Sequence, residues 1–154
     1  MKFSGYIICI AVLFFSSCNT IDVHEKTTAI PKHEWNSNDS LPFTFISSDS
    51  AAYYNIYFVF RHTESYHFNN IWIDFTSVSP DKKAQTQRLN LQLTNVNGWL
   101  GASMDDIIEQ RVLLFGNPIK LNKGNYTFYI QQVMREDPLQ NILNVGIRIE
   151  KIVQ

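Results

Sequence analysis

The chain has 154 residues and a formal net charge of −1 at pH 7. That length suits one domain, and the balance of charge offers no positive potential to nucleic acid. Apolar residues make up 45% of the chain, which excludes a disordered polymer, and eleven Phe, seven Tyr and three Trp beside six Gly favour pleated, half-buried surfaces.

The N-terminus reads as an export signal. Met1-Lys2 is a short positive start, residues 6–15 (YIICIAVLFF) are an unbroken apolar run, and Ser16-Ser17 places small residues before Cys18. This layout predicts a secretory signal peptide over residues 1–17. The run falls short of the roughly 20 residues that a membrane-spanning helix needs; the alternative is a short anchor that is never cut. Cys9 leaves with the signal. Cys18 then stands where bacterial lipoproteins carry a diacylglyceryl thioether, and Phe15-Ser16-Ser17-Cys18 resembles a relaxed lipobox. Acylation of Cys18 leaves no free thiol and no disulfide, so the domain relies on its core. Each buried CH₂ of the acyl chains contributes about 0.8 kcal/mol of membrane binding. Residues 18–34 are expected to form the lipidated cysteine and a flexible tether. Polar residues 19–31 reach roughly 20 Å as a flexible chain. Trp35 marks where the chain first docks, and residues 35–154 form the domain.

Strand patterns follow. Residues 41–46 make a short candidate whose Pro42 suggests an edge. In residues 53–62, Tyr54, Ile56, Phe58 and Phe60 share one face; in residues 68–77, Ile71, Ile73 and Phe75 do so. Leu89, Leu91 and Leu93 alternate next, and Ser103-Met104-Asp105-Asp106 reads as a loop or a single helical turn before a strand through Phe115. Tyr126, Phe128, Ile130 and Gln132 line another face, and Leu143, Val145, Ile147 and Ile149 the last. With turn residues between them, these runs predict an all-β fold: a single antiparallel β-sandwich, jelly-roll or Ig-like, of seven or eight strands.

No motif carries catalysis. His24 and His33 lie in or near the tether, and His62 and His67 flank an expected hairpin loop as surface residues, so no metal site is expected. Asp105-Asp106 with Glu109, and Glu136-Asp137, read as solvated acids rather than a glycosidase pair. There is no GxSxG elbow, P-loop or GxGxxG, and the chain is expected to be no enzyme and to hold no cofactor. Trp72, Tyr57 and Tyr129 face away from the apolar stripes; they either stack sugar rings or fill a second core. Arg61, Arg135 and Arg148 sit on or beside apolar strands, and an internal ion pair with Asp74 or Glu150 is expected ahead of a ligand-binding fork.

Several segments together resemble the gliding motility lipoprotein GldH family of Bacteroidetes. The resemblance begins at Cys18 and runs through Trp35, the strand from Tyr54 to Arg61, and Asn70-Ile71-Trp72. It continues through Gly98-Trp99-Leu100-Gly101, Asp105-Asp106-Ile107, Gly124-Asn125-Tyr126-Thr127-Phe128 and Gln132-Val133-Met134-Arg135. It closes on Leu139-Gln140-Asn141-Ile142 and Val145-Gly146-Ile147-Arg148-Ile149. Ala102-Ser103-Met104 departs from the family's Gly-rich continuation. The resemblance implies a lipoprotein anchored to a membrane, expected to be the outer one with either face open. It implies a part of the gliding machinery, linked to type IX secretion, that touches other gliding and secretion proteins of the envelope. Only Cys18 takes over a defined chemical role, as the lipid attachment site. Trp99 and Arg135 are the expected partner contacts, although Trp99 in its Gly-flanked loop serves equally well as a plug for the end of the fold. Ser40 and Ser50, in Asp-Ser-apolar triplets, resemble O-glycosylation sites of that lineage. The alternative function is a glycan-binding surface lipoprotein.

Overall fold

The computed structural model describes residues 22–152; the expected signal peptide, Cys18 and the first residues after it lie outside the described residues. The described chain is all-β. Its strands are β1 (Val23–Ala29), β2 (Glu34–Trp35), β3 (Leu41–Ser47), β4 (Tyr53–Thr63), β5 (Asn70–Val78), β6 (Ala84–Gln92) and β7 (Thr94–Asn95). There follow β8 (Gly98–Trp99), β9 (Ala102–Met104), β10 (Ile107–Leu113), β11 (Ile119–Lys120), β12 (Gly124–Gln132), β13 (Leu139–Gln140) and β14 (Ile142–Ile152).

Every pairing is antiparallel. The larger sheet runs β1-β14-β4-β10-β9, with β11 also on β4; the second runs β3-β12-β5-β6; β2 pairs β13 and β7 pairs β8. Successive side chains of a strand point to opposite faces, so the alternation seen in sequence becomes one buried stripe per strand. Ile56, Phe58, Phe60, Ile147 and Ile149 of the larger sheet share a single core with Phe43, Ile71, Ile73, Phe75, Phe128 and Ile130 of the second. Burying each such side chain contributes about 1.5–3 kcal/mol before entropy is counted.

Three expectations are corrected. Among the described residues the strands number fourteen, not seven or eight; the surplus is mostly strands of two or three residues, too short to show a period. The flexible tether expected through residue 34 is absent from residue 23 onward. Val23–Ala29 is an edge strand paired with β14 from Val23↔Glu150 to Ala29↔Asn144. Its sequence, VHEKTTA, is polar on both faces because an edge strand packs little, so hydrophobic alternation never marked it. Charge and backbone pairing hold it instead: Arg111 donates two hydrogen bonds of 3.0 Å to the Glu25 carboxylate, and Arg148 donates one of 3.0 Å. The Arg111 hydrogen bond, against partial burial and with help from Arg148, holds Glu25 below the ordinary carboxylate range. Finally, the loop or helical turn expected at residues 103–106 is the β9–β10 hairpin, turned by Asp105 in the left-handed region (φ 54°), where Asp is better tolerated than most residues.

Strand directions give the molecule two ends. At one end lie the start of β1, the β3–β4 loop, the β5–β6 turn, residues 114–124 and the end of β14. At the other end lie residues 30–40, 64–69, 93–106 and 133–141.

Candidate functional site

The inward positions of β5 are taken by Ile71, Ile73 and Phe75, which leaves Trp72 on the outer face at 41% exposure. Its neighbours on that face are polar. Asn70 Nδ2 donates to Asn90 Oδ1 at 2.6 Å, and Arg88 makes a bidentate pair with Asp74 at 2.8 and 2.9 Å. On the other side β12 runs out. Val133 N–H donates to the Trp72 carbonyl at 3.0 Å, but the Trp72 N–H meets the Met134 thioether sulfur at 3.2 Å. The sulfur replaces a ladder carbonyl and draws the Met134 side chain over the strand.

A buried amide sets the loop that follows. Gln132 is fully buried; its Oε1 accepts from Met134 N at 2.8 Å, while its Nε2 donates to the carbonyls of Trp35 at 3.3 Å and Glu136 at 3.5 Å. Glu136 in turn accepts from Gln140 N at 2.9 Å and pairs with His67 Nδ1 at 2.8 Å, and the His67 contact lowers its pKa. The result is a groove of about 410 Å³ lined by Phe68, Asn70, Trp72, Arg88, Met134 and Arg135.

Arg135 is exposed in that groove. The other four arginines have carboxylate partners: Arg61 with Glu109 at 3.8 Å, Arg88 with Asp74, Arg111 with Glu25 and Glu109, and Arg148 with Glu25 and Glu150. Among the described residues none pairs with Arg135. The expected internal pair therefore forms at Arg148–Glu150, fails at Arg135, and leaves Asp74 to Arg88, its direct cross-strand neighbour.

The structure separates the two expected contact residues. Trp99 does not line the groove. It lies half-buried against the core, edge-on to His62 at 4.5 Å between ring centroids and tilted against Tyr66 at 6.3 Å. The outward aromatics do not form one platform either. Trp72 and Tyr129 share the outer face of the second sheet, whereas Tyr57 lies on the larger one. Phe68 and Arg88 were missed as groove residues, because their approach to Trp72 depends on strand pairing and on the end of β12. Ser40 is exposed just before β3, at the groove's end of the molecule, and Ser50 is exposed in the β3–β4 loop at the opposite end.

His62 is corrected outright. It is fully buried near the end of β4, not on a surface loop, because the strand continues through Thr63. Its Nδ1–H donates to the Thr63 carbonyl at 2.8 Å, so Nε2 accepts from the Gln110 amide at 3.1 Å. Burial lowers its pKa, with the Thr63 carbonyl opposing. An unfolded histidine titrates near 6.5. The stability His62 contributes is therefore complete above that pH and is lost progressively as pH falls from there through the lowered folded value, because the unfolded chain takes up the proton first. Between pH 7 and pH 5 the urea midpoint of the wild type should fall more steeply than that of His62→Gln. Parallel curves would remove His62 as the source. Nearby, the Tyr66 hydroxyl donates to the Asn70 carbonyl at 3.1 Å, and burial pushes the phenol well above its ordinary range. Among the described residues no group of three or more His, Cys, Asp or Glu is placed to hold a metal.

The fold and groove now have a context. Residues 22–149 match the family model described as GldH lipoprotein. The chain belongs to the GldH lipoprotein family. The match takes in β1, the groove and Trp99. A gliding motility lipoprotein GldH homolog of Christiangramia forsetii is 30% identical over 158 residues, covering 97% of this chain and 96% of that one. The gliding motility lipoprotein GldH of Flavobacterium johnsoniae is 29% identical over 159 residues, covering 98% of each. These GldH relatives are named as motility lipoproteins, not as enzymes. Among solved structures, the insecticidal delta-endotoxin Cry8Ea1 of Bacillus thuringiensis overlaps 79% of this chain and 19% of its own at TM-score 0.42 and 16% identity; so distant an overlap says nothing of what a GldH protein does. No helix among the described residues is long and apolar enough to cross a membrane.

Proposed function

We propose that this chain is a lipid-anchored component of the gliding motility machinery, linked to type IX secretion, and that it works by docking on envelope proteins. The observation that carries the reading is the likeness to GldH lipoproteins over 97–98% of the chain. Acyl chains on Cys18 hold it to the membrane, and we take the outer membrane as its site. Arg135, exposed and without a carboxylate partner among the described residues, is the charged contact for a partner. Trp99 contributes by holding its loop against the core end and presenting exposed Leu100 beside it.

Deleting the gene should stop surface delivery of motility adhesins and other type IX cargo. Rescue should need wild type and fail with Cys18→Ala. Normal delivery and motility in the deletion strain would overturn the proposal. The intact mass of the purified protein reads the acyl chains, and it also reads any sugar on Ser40 or Ser50. We propose both serines as O-glycosylation sites, each addition vanishing in Ser40→Ala or Ser50→Ala.

One observation favours a second reading, glycan binding. Trp72 offers a solvent-facing ring beside two asparagines and an arginine–aspartate pair, the chemistry that stacks and hydrogen-bonds a sugar. Saturable binding of a polysaccharide that disappears in Trp72→Ala would support it, and the absence of saturable binding would leave the docking role alone.

A further inference from the structure

We infer that the end of the domain where β1 begins is a membrane-standing face, seated on the anionic phospholipid surface that carries the Cys18 lipids. The inference rests on the lipidation proposed above and adds to it the orientation of the whole domain. Strand β1 is paired from Val23 onward, and Lys151 N–H already donates to the Asp22 carbonyl at 3.0 Å. Only four peptide steps separate Cys18 from Asp22. At full extension they span about 14 Å, and as a flexible chain roughly 11 Å. The start of β1 therefore stays within about one to two screening lengths of the lipid attachment point, since that length is about 8 Å at physiological salt.

Charge divides along the same axis. Among the described residues, the β1-start end carries Lys82, Lys83, Lys120, Lys123 and Lys151 against Asp22, Asp49, Asp81 and Glu150. Two of those aspartates are engaged, Asp81 with Lys83 and Asp49 with Lys151, both at 3.0 Å. The opposite end carries Glu34, Asp39, Glu64, Asp105, Asp106, Glu136 and Asp137 against Lys32 and Arg135. An anionic surface attracts the first end and repels the second, so the near-neutral total conceals a molecule with a preferred orientation.

The apolar side chains exposed towards the lysine end suit the same surface. Ile46 is 71% exposed near the end of β3, Leu113 is exposed at the end of β10, and Tyr53 is exposed at the start of β4. Lys120 Nζ lies 5.6 Å from the centre of the Tyr53 ring. An aromatic ring with an ammonium riding on it is suited to the headgroup layer, where the ring meets acyl chain and the charge meets phosphate. Seated this way, the domain holds the Trp72–Arg135 groove and Trp99 away from the bilayer, at the end open to partners.

The test uses the lipidated chain purified from bacterial membranes. It is reconstituted in phosphatidylcholine vesicles with or without phosphatidylglycerol, and an amine-acetylating reagent is read residue by residue. In anionic vesicles, acetylation of Lys82, Lys120 and Lys123 should slow about fivefold while Lys32 is unchanged. The protection should fade at about 1 M salt, where the screening length is about 3 Å. The variant Lys120→Glu/Lys123→Glu should lose the protection of Lys82 with its lipid intact. Uniform acetylation with the acyl mass present overturns this inference alone. Protection that follows protein density rather than lipid charge also overturns it, in favour of a second copy on this face. A mass without acyl chains overturns the anchor reading and this inference with it.

Discussion

Replacing Trp35 with alanine should lower the free energy of unfolding by about 3–5 kcal/mol, a large part of the roughly 5–15 kcal/mol that a domain has. Trp35 is fully buried in the two-residue strand β2, opposite the equally buried Leu139 of β13. Its indole N–H donates to the Asp39 carbonyl at 3.0 Å, and its own carbonyl accepts from Gln132 Nε2 at 3.3 Å. Removing the ring opens a cavity and loosens the pairing that gives Gln132 one of its partners. The effect should therefore reach the groove. Hydrogen exchange in residues 133–140 should accelerate before the rest of the core does. Trp35→Phe keeps most of the packing but leaves the Asp39 carbonyl without its donor, and should cost roughly 1–3 kcal/mol. Urea unfolding reads all three proteins. Midpoints that coincide would mean that this corner of the core contributes little.

Gly146→Val should cost about 3 kcal/mol or more, and its damage should be local to β1. A Cβ at Gly146 would lie 2.4 Å from the Lys26 carbonyl oxygen and 2.6 Å from Thr27 Cγ2. The Lys26 atom is backbone, so the edge strand must move rather than a side chain. The absence of a side chain at Gly146 also serves the charge cluster. Gly146 and Val59 stand in one cross-strand row with Thr27 and Arg111, and the low row lets Arg111 reach Glu25 across two strands. Detaching β1 breaks both the Arg111 and Arg148 pairs to Glu25 and restores a long tether. Proteolysis should then cut within residues 23–29 while the β12–β14 core stays intact, and the lysine protection expected on anionic vesicles should vanish. Gly116→Ala is the matched control: no atom lies within 4 Å of its added Cβ, and its stability should stay within about 0.5 kcal/mol of wild type.

Much of the fold was legible because alternation is a local property. The inward stripes of β4, β5, β12 and β14 follow from which side chains repel water two residues apart, and they are buried as expected except at Leu143, where a register shift near the start of β14 buries Ile142 in its place. The docking of Trp35 was legible for a different local reason, a large apolar ring in a polar stretch. Edge strand β1 was not, since an edge with solvent on it selects no period. His62 was misplaced because strand length is set by partners: β10 and β14 both pair with β4 as far as His62, and β10 carries the pairing to Thr63.

Residues 6–18 by themselves determined the expectation of an exported, lipid-anchored chain, because signal and lipobox are read as linear sequence. Residue alternation determined the all-β class, and a run of short segments carried the likeness to GldH lipoproteins. Only the tertiary structure decided which polar groups meet. It gathered Trp72, Met134 and Arg135 at one groove, kept Trp99 on the core end, joined Glu25 to arginines 86 and 123 residues away, and left the acidic excess at the end opposite most of the lysines. Those choices belong to the pairing of strands distant in sequence, and no local pattern carries that information.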